Sequence, residues 1–450
     1  MIDKKKKRSI SRREFIGKTV AAAAFTIVPR YVLGGNGYTA PSDKLNVACI
    51  GVGGMGYNDT VGVNSENIYA LCDVDDERAA KAYNKFPKAK RYKDFRVLLD
   101  QEKEIDAVTI STPDHTHAVA AMMAMKMGKH AYVQKPLTHT VQEARKLAET
   151  AREMKVATQM GNQGHAGEGA RLINEWIWSG AIGDVYEAHV WTNRPIWPQG
   201  IDRPKENPAI PSTLDWDLWQ GPAPKRPYHS AYLPFSWRGW LDYGTGALGD
   251  MGAHLMDQPF WALKLGDPIS VQASSSPIND ETYPQSSMVT YQFPARKSMV
   301  PVKLVWYDGG LRPPRPEELE DGERMGDNGG GVLFIGTKGK LSCGTYGRDP
   351  VLLPKAKMKD FDPPPKTIPR SPGIREEWIA ACKTGSPTTS NFDYAGKLTE
   401  IMLLGCIALR VADKYTTLQW DGPNMRSVSY THLRAHETEA DLVCRLLLEK

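Results

Sequence analysis

The chain has 450 residues, of which 41% are hydrophobic and 24% charged, as is ordinary for a globular protein of two or three domains. Its net charge of +5 arises at the N-terminus, because residues 1–34 carry nine basic and two acidic side chains. The remainder carries about −2, so nucleic acid is not an expected partner. The six cysteines occur singly and without metal-ligand spacing, so neither a disulfide framework nor a metal site is expected.

Residues 1–40 have the layout of an export signal. A basic start leads into Ser11-Arg12-Arg13-Glu14-Phe15-Ile16-Gly17-Lys18, and a short apolar stretch follows. The arginine pair resembles the twin-arginine signal, which predicts the twin-arginine export machinery as a partner and a periplasmic or otherwise exported protein. Cleavage near Ala40 and retention as a membrane anchor are both open. A basic, disordered tail is the alternative.

A dinucleotide-binding pattern begins at Asn46. An apolar run typical of a buried strand breaks into a loop that fits G-x-G-x-x-G. The first glycine allows a tight turn, the second lets a pyrophosphate approach the backbone, and the third lets helix and strand pack closely. The predicted cofactor-binding residues of this loop are Gly51, Gly53, Gly54, Met55 and Gly56.

The next predicted strand ends on Asp73, which lies 22 residues after Gly51. A carboxylate at this spacing binds a ribose 2′-OH and disfavours a 2′-phosphate, so NAD is predicted rather than NADP. The alternatives are a turn aspartate at the end of a strand and glycines that serve ordinary turns.

Residues 41–165 alternate strands with helices, which predicts a doubly wound parallel sheet, the α/β architecture of a Rossmann domain. Strands are expected near 45–50, 68–72, 106–110, 130–133 and 156–160. Ligands bind at the carboxyl ends of such strands, so the loops that follow them are candidate sites.

Two of these loops carry candidate residues. The first loop is expected to line the nucleotide. There are two alternatives: His115 and His117 could bind a metal as a pair, or the loop could cap the following helix. In the second, Lys135 at the end of a strand would point its ammonium to where nicotinamide and substrate meet. A solvated surface lysine is the alternative there. The cofactor-binding candidates of the two loops are Ser111, Thr112, Pro113, His117 and Lys135.

The composition shifts after residue 165, and residues 166–426 form a second predicted domain, in which substrate would bind. Its first part is rich in tryptophan and proline, and aromatic faces stack on sugars in many carbohydrate sites. Packing is the alternative role for each tryptophan. The substrate-contact candidates are Arg194, Trp197, Trp237 and Arg238.

A glycine-flanked D-x-x-x-H follows these tryptophans. On a helix, Asp250 and His254 stand at i and i+4 on one face. A carboxylate beside an imidazole raises its basicity, as a general base needs, and a buried structural pair is the alternative. The last stretch, residues 427–450, has little relation to what precedes it and is interpreted as a non-native tail.

Together these motifs resemble the Gfo/Idh/MocA oxidoreductases, over about residues 44–420. The resemblance rests on the Gly51–Gly56 loop, Pro113-x-x-x-His117, Lys135-Pro136 and Gly246-Ala-Leu-Gly-Asp250-x-x-x-His254. It implies a Rossmann domain followed by an α/β domain with an open, mostly antiparallel sheet, and a homo-oligomer such as a dimer or tetramer. It also implies that Lys135, Asp250 and His254 are catalytic. The common Glu-Lys-Pro appears here with Gln134, which puts the tuning of Lys135 in question.

The expected activity is reversible hydride transfer between NAD and a hydroxyl carbon of a small carbohydrate: a sugar, a sugar alcohol or a glycoside. His254 would take the proton, Asp250 would orient it, and Lys135 would hydrogen-bond the oxygen. One alternative is an NAD-assisted glycoside hydrolase or lyase that works by transient oxidation and elimination. Another is a catalytically silent sugar-binding protein. Free NAD should be scarce outside the cytoplasm, so a tightly bound cofactor is expected.

Overall fold

A six-stranded parallel sheet forms the first half of the fold, which is taken from a computed structural model that describes residues 43–428. Its strands lie in the order β3-β2-β1-β4-β5-β6, the arrangement of a dinucleotide-binding domain. The strands are β1 (Asn46–Ile50), β2 (Asn67–Cys72), β3 (Lys90–Tyr92), β4 (Ala107–Ile110), β5 (His130–Val133) and β6 (Thr158–Met160).

Helices connect these strands, and several of them are preceded by an N-cap residue whose side chain binds a backbone amide of the first turn. Asp75 and Asp94 accept hydrogen bonds from backbone amides two residues further on, and Thr140 forms a capping box with Glu143. The helices are α1 (Met55–Gly62), α2 (Asp76–Lys85), α3 (Phe95–Gln101), α4 (Asp114–Lys126), α5 (Val141–Met154) and α6 (Glu168–Trp178).

A second, nine-stranded sheet follows, in the order β13-β12-β11-β7-β10-β9-β8-β14-β15. Only β7 and β10 pair in parallel, so the sheet is mostly antiparallel, as expected. Its strands are β7 (Val185–Thr192), β8 (Ser270–Ser275), β9 (Ser287–Phe293), β10 (Val302–Tyr307), β11 (Gly330–Gly336), β12 (Gly339–Gly344), β13 (Val351–Leu353), β14 (Thr417–Asp421) and β15 (Arg426–Ser427). Its helices are α7 (Trp216–Gln220), α8 (Gly246–Leu255), α9 (Asp257–Ala262), α10 (Ile374–Thr384) and α11 (Phe392–Leu409).

Helix α11 joins the two halves, because it packs on α5 of the first and on α8 of the second. Arg145 of α5 binds the buried carboxylate of Glu400 at 2.6 Å. On the other side, a Cβ added to Gly252 of α8 would lie 2.7 Å from the Met402 sulfur, so the glycine allows the two helices to approach closely. Helix α8 is therefore fixed relative to the Rossmann sheet.

The α/β fold class and both sheet types predicted from the sequence are confirmed, but the short edge strand β3 was not predicted. Strand β15 ends at Ser427, so the second sheet includes the first residue of the segment interpreted as a non-native tail. Residues 429–450 and the export signal lie outside the described residues. Within residues 43–428, no helix is long and apolar enough to cross a bilayer.

The close packing of α1 on β1 makes a stability prediction at Gly56. A Cβ there would lie 1.8 Å from the Gly51 carbonyl oxygen, which is backbone and has no side-chain freedom to yield. We expect Gly56→Ala to lower the free energy of unfolding by about 3 kcal/mol, the upper end for overpacking. Urea unfolding followed by tryptophan fluorescence measures the change.

The matched control is Gly266→Ala, because a Cβ at Gly266 meets no atom within 4 Å. It should leave the unfolding midpoint unchanged or slightly raised. Equal midpoints for the two variants would contradict the packing argument.

Candidate active site

A cavity of about 570 Å³ runs between the carboxyl ends of the Rossmann strands and helix α8. This is where doubly wound sheets bind ligands, and the volume is that of a small-molecule site. The predicted site residues that line it are Gly51, Gly53, Gly54, Met55, Asp73, Ser111, Thr112, Pro113, Lys135, Arg194, Trp237, Arg238, Asp250 and His254.

The glycine loop has the backbone that a dinucleotide site requires. Gly51 has φ +74°, and a Cβ there would lie 2.8 Å from the backbone of Ser111. Gly54 also has a positive φ, and its added Cβ would have open space except for the Arg78 guanidinium at 3.4 Å. The loop passes so close to its neighbours that only glycine fits at Gly51, and its backbone is open to the cavity. These residues fit NAD.

Asp73 lies beside this loop. Its carboxylate accepts hydrogen bonds from the backbone amides of Val52 and Gly53, at 2.8 and 3.1 Å, and from that of Asp75. Burial raises the pKa of Asp73, and these amide hydrogen bonds oppose the rise. The carboxylate therefore holds the shape of the glycine loop and lines the cavity at the position expected for the ribose.

His117 does not line the cavity, and this corrects its expected role as a cofactor contact. Its two ring nitrogens lie 2.9 Å from the Pro136 carbonyl and 2.8 Å from the Thr112 carbonyl. Burial lowers the pKa of His117 to about 4, so the ring is neutral at pH 7 and donates to one carbonyl at a time. It ties together the two loops that carry Thr112 and Lys135.

The neighbouring residues attach the same loop to the start of α8. The ring of His115 lies between the carbonyls of Trp219 and Tyr243, so both of its nitrogens face backbone oxygens. The buried carboxylate of Asp114 accepts a hydrogen bond from Thr245 at 2.7 Å. Burial raises the pKa of Asp114 to about 6. These contacts set the distance from the cofactor loop to α8.

A buried carboxylate, Asp59 of α1, explains the glutamine that replaces the common glutamate. It accepts hydrogen bonds from Gln134 Nε2 and Ser111 Oγ, both at 2.8 Å. Arg375 of α10 completes the cluster, with Nη2 2.6 Å from the Asp59 carboxylate. The carboxylate of a glutamate at position 134 would repel the carboxylate of Asp59, whereas the side-chain amide of Gln134 donates a hydrogen bond to it.

Lys135 forms an ion pair with Asp250, with 2.6 Å between Nζ and Oδ1. Arg238 Nε lies 3.1 Å from the same oxygen, and Arg194 Nε lies 3.8 Å from the other. Burial alone would raise the pKa of Asp250, but Lys135 and Arg238 outweigh it and hold the pKa well below its usual range. Asp250 is therefore an anion that positions Lys135.

His254 stands one turn further along α8 and is buried. Burial, followed by the charge of Lys135, lowers its pKa to about 3, so the imidazole is neutral at pH 7. Its Nδ1 has no hydrogen-bond partner among the described residues. The expectation that Asp250 orients His254 is thus not met, because the hydrogen bonds of Asp250 go to Lys135 and Arg238.

The tryptophan-rich segment divides between packing and the cavity. Trp237, a substrate-contact candidate, lines the cavity, and so does Trp219. Trp197 does not line the cavity, because its Nε1 binds Gln199 at 2.8 Å and its ring is buried. For Trp197 the packing alternative is the better description.

The residues that sequence reasoning missed include Tyr346 and Arg78, which line the cavity, and Asp59, which is buried behind Gln134. Tyr346 packs its ring edge-on against His254, at 4.7 Å between centroids, and has a left-handed backbone with φ 65°. A tyrosine in that region is strained, which is common at functional sites. The signal was a Gly-Thr-Tyr-Gly turn after a strand, which alone does not indicate a site.

The cluster around Asp59 predicts a pH-dependent cost for Gln134→Glu. The new carboxyl would be buried against Asp59, so its pKa would rise above the usual value of about 4.3. Stability is then lost as the pH rises above that value, because the unfolded chain ionises the group and the folded chain does not. We expect a loss of about 2–4 kcal/mol at pH 8 and a smaller one at pH 5, measured by urea unfolding.

Gln272→Glu is the control, since Gln272 is an exposed residue of β8. It should change stability little at either pH. A Gln134→Glu variant as stable as this control at pH 8 would refute the proposed opposition of the two carboxylates.

Residues 45–162 match the model of an oxidoreductase family with an NAD-binding Rossmann fold. Residues 190–299 match the C-terminal α/β domain model of the same family. The two matches together cover about half of the chain.

Individual relatives are more distant. The chain is 25% identical to levoglucosan dehydrogenase of Pseudarthrobacter phenanthrenivorans, over 48% of this chain and 50% of that one. It is 29% identical to an α-N-acetylgalactosaminidase of Shewanella oneidensis, over 39% of this chain and 44% of that one. The chain thus matches about half the length of these relatives.

The fold matches more completely. The crystal structure of the dehydrogenase WlbA from Bordetella pertussis, in complex with NADH and UDP-GlcNAcA, superimposes with a TM-score of 0.58. The match covers 84% of this chain and 99% of that one at 15% identity, which shows a shared fold. With both domain models matched and the glycine loop, Lys135, Asp250 and His254 around one cavity, the chain belongs to the Gfo/Idh/MocA family of NAD-binding oxidoreductases.

Proposed function

We propose that the protein is an NAD-dependent dehydrogenase that oxidises or forms a hydroxyl carbon of a sugar, sugar alcohol or glycoside. The main support for this proposal is that Lys135, which is ion-paired with Asp250, and the neutral His254 line the same cavity as the glycine loop. Bound NAD would accept or supply the hydride at that carbon. The identity to levoglucosan dehydrogenase supports this reaction type.

His254 is the proposed proton acceptor. As hydride leaves the carbon, the hydroxyl proton must leave the oxygen, and a neutral imidazole can take it. His254 is neutral at pH 7 because burial disfavours its charged form. In the reverse direction, the imidazolium would return the proton to the oxygen.

Lys135 is the proposed donor to the reacting oxygen. Its ammonium would stabilise the negative charge that develops there as the proton leaves. Asp250 holds the ammonium at 2.6 Å and supplies the compensating charge. Asp250 therefore acts through Lys135, and no direct contact with His254 is needed.

These roles predict the effect of two substitutions. His254→Ala removes the proton acceptor and should lower kcat about 10²- to 10⁴-fold. Lys135→Ala should lower kcat by about 10²-fold or more, since it removes the donor to the oxyanion. NADH formation on a panel of sugars, sugar alcohols and glycosides measures both.

His229→Ala is the control for the histidine, because His229 does not line the cavity. Turnover that survives in both the His254 and Lys135 variants would overturn the assignment. Ligand binding without any change in nicotinamide absorbance would favour a silent sugar-binding protein instead.

A second function is supported by the 29% identity to an α-N-acetylgalactosaminidase. In an NAD-assisted glycoside hydrolase or lyase, the sugar is oxidised, the aglycone is eliminated, and the product is reduced again. Such an enzyme would cleave a glycoside without net formation of NADH. Chromatography of the products beside the absorbance assay separates the two reactions.

We further propose that the protein is exported through the twin-arginine pathway and works as a homo-oligomer. The motif in residues 11–18 supports export of a protein that is already folded. NAD would then leave the cytoplasm bound to the folded protein, because free NAD is scarce outside the cytoplasm. A cofactor held in this way would be recycled in place.

Tight retention predicts that NAD co-purifies with the exported protein. Native mass spectrometry of protein from the periplasmic fraction should show one NAD per subunit, and the subunit count with it. Gly51→Ala is the comparison, because a Cβ there meets the Ser111 backbone at 2.8 Å and should empty the site. A wild-type protein recovered empty would contradict tight retention.

A further inference from the structure

The end of the cavity beside α8 carries more positive than negative charge. Lys135, Arg194 and Arg238 line it, and the one carboxylate among them is Asp250. Asp114 is buried behind the wall of the cavity. Even if Asp114 is counted as ionised, the three cations exceed the two carboxylates by one charge. The cavity's other carboxylates belong to the glycine-loop end.

The arginines are held in place while part of their donor capacity stays open. The Arg238 guanidinium stacks 4.2 Å from the Trp237 ring centroid and 4.4 Å from that of Phe235. Arg194 lies further from Asp250, with 3.8 Å between Nε and Oδ2, which is too long for a hydrogen bond. Held guanidiniums of this kind bind carboxylates and phosphates through paired hydrogen bonds.

The cofactor does not account for this charge. Its pyrophosphate is expected at the glycine loop, where Arg78 is the neighbouring cation. The side chains of Arg194 and Arg238 keep 24% and 19% of their surface exposed, so an anionic group in the cavity can reach them and match the excess charge.

We propose that the substrate carries an anionic oxygen group, a carboxylate or a phosphate ester, which Arg194 and Arg238 bind beside the reacting hydroxyl. This inference rests on the proposed function, since it names the substrate class of the same site. It makes sugar acids or sugar phosphates, rather than neutral sugars, the compounds that fit.

The state of His254 supports this assignment. Burial is the main reason that the pKa of His254 falls to about 3, and the charges of Lys135 and Arg194 lower it further. That pKa is low for an efficient proton acceptor at neutral pH. An anion between the arginines would offset part of that positive charge and strengthen the base. A neutral sugar would leave the histidine weak.

The test compares matched substrates on the full-length, NAD-loaded protein. Glucose, glucuronate and glucose 6-phosphate form one set, and galactose and galacturonate a second. We expect kcat/KM for one anionic class to exceed that for its neutral partner by roughly 10- to 100-fold, the value of hydrogen bonds to charged groups. The carboxylate and phosphate arms identify which anion is bound.

Arg194→Gln and Arg238→Gln should each remove most of that preference, measured within each variant as the ratio of kcat/KM for the anionic compound to kcat/KM for its neutral partner. Arg203→Gln is the control, because Arg203 is exposed and pairs with Glu281 outside the cavity. Should Arg238→Gln fail to fold, Arg238→Lys is the substitute. It keeps the positive charge but cannot donate paired hydrogen bonds, so it should lose part of the preference for anionic substrates. A preference for neutral sugars, or one that both arginine variants retain, overturns the inference.

A binding readout separates this inference from the proposed reaction. Anions that raise the melting temperature of the NAD-loaded protein through Arg194 and Arg238, without forming NADH, would support the anion site and contradict the dehydrogenase. Neutral sugars turned over in preference to anions would support the dehydrogenase and contradict the anion site.

Discussion

The ion pair between Lys135 and Asp250 is the interaction on which the site depends. It links the end of β5 to α8, and so joins the cofactor-binding sheet to the helix that carries His254. Both charges are largely removed from water, where a lone charge would be strongly destabilising. Each therefore requires the other, and the folded arrangement of the two halves is the one in which they meet.

Other contacts fix the relative position of the same two halves. His115 and Asp114 bind the segment that starts α8, and His117 fixes the loop of Lys135 to that of Thr112. None of these side chains needs to touch substrate to matter, because they set the distance over which the cofactor and His254 must cooperate. Asp114, His115 and His117 of the Pro113-x-x-x-His117 motif thus set the geometry of the site, whereas Thr116 lines the cavity.

The sequence predicted the parts of this protein that depend on local pattern. Strand periodicity located five of the six Rossmann strands, and glycine spacing with Asp73 identified the cofactor loop. Roles that depend on long-range packing were harder. Nothing local distinguishes Trp197, which packs, from Trp237, which lines the cavity, and Tyr346 enters from a turn more than 90 residues after His254. The partner of Gln134 was unknowable without the fold, because Asp59 lies 75 residues earlier.

The pairing of Asp59 with Arg375 has a consequence for how the protein is made. The two residues are 316 positions apart, so the ribosome completes most of the chain before the arginine appears. Until then, a nascent Rossmann domain would hold a carboxylate beneath its cofactor loop with no cation to neutralise it. Assembly of this buried cluster is therefore complete only when α10, the helix that carries Arg375, has been made and has packed in place.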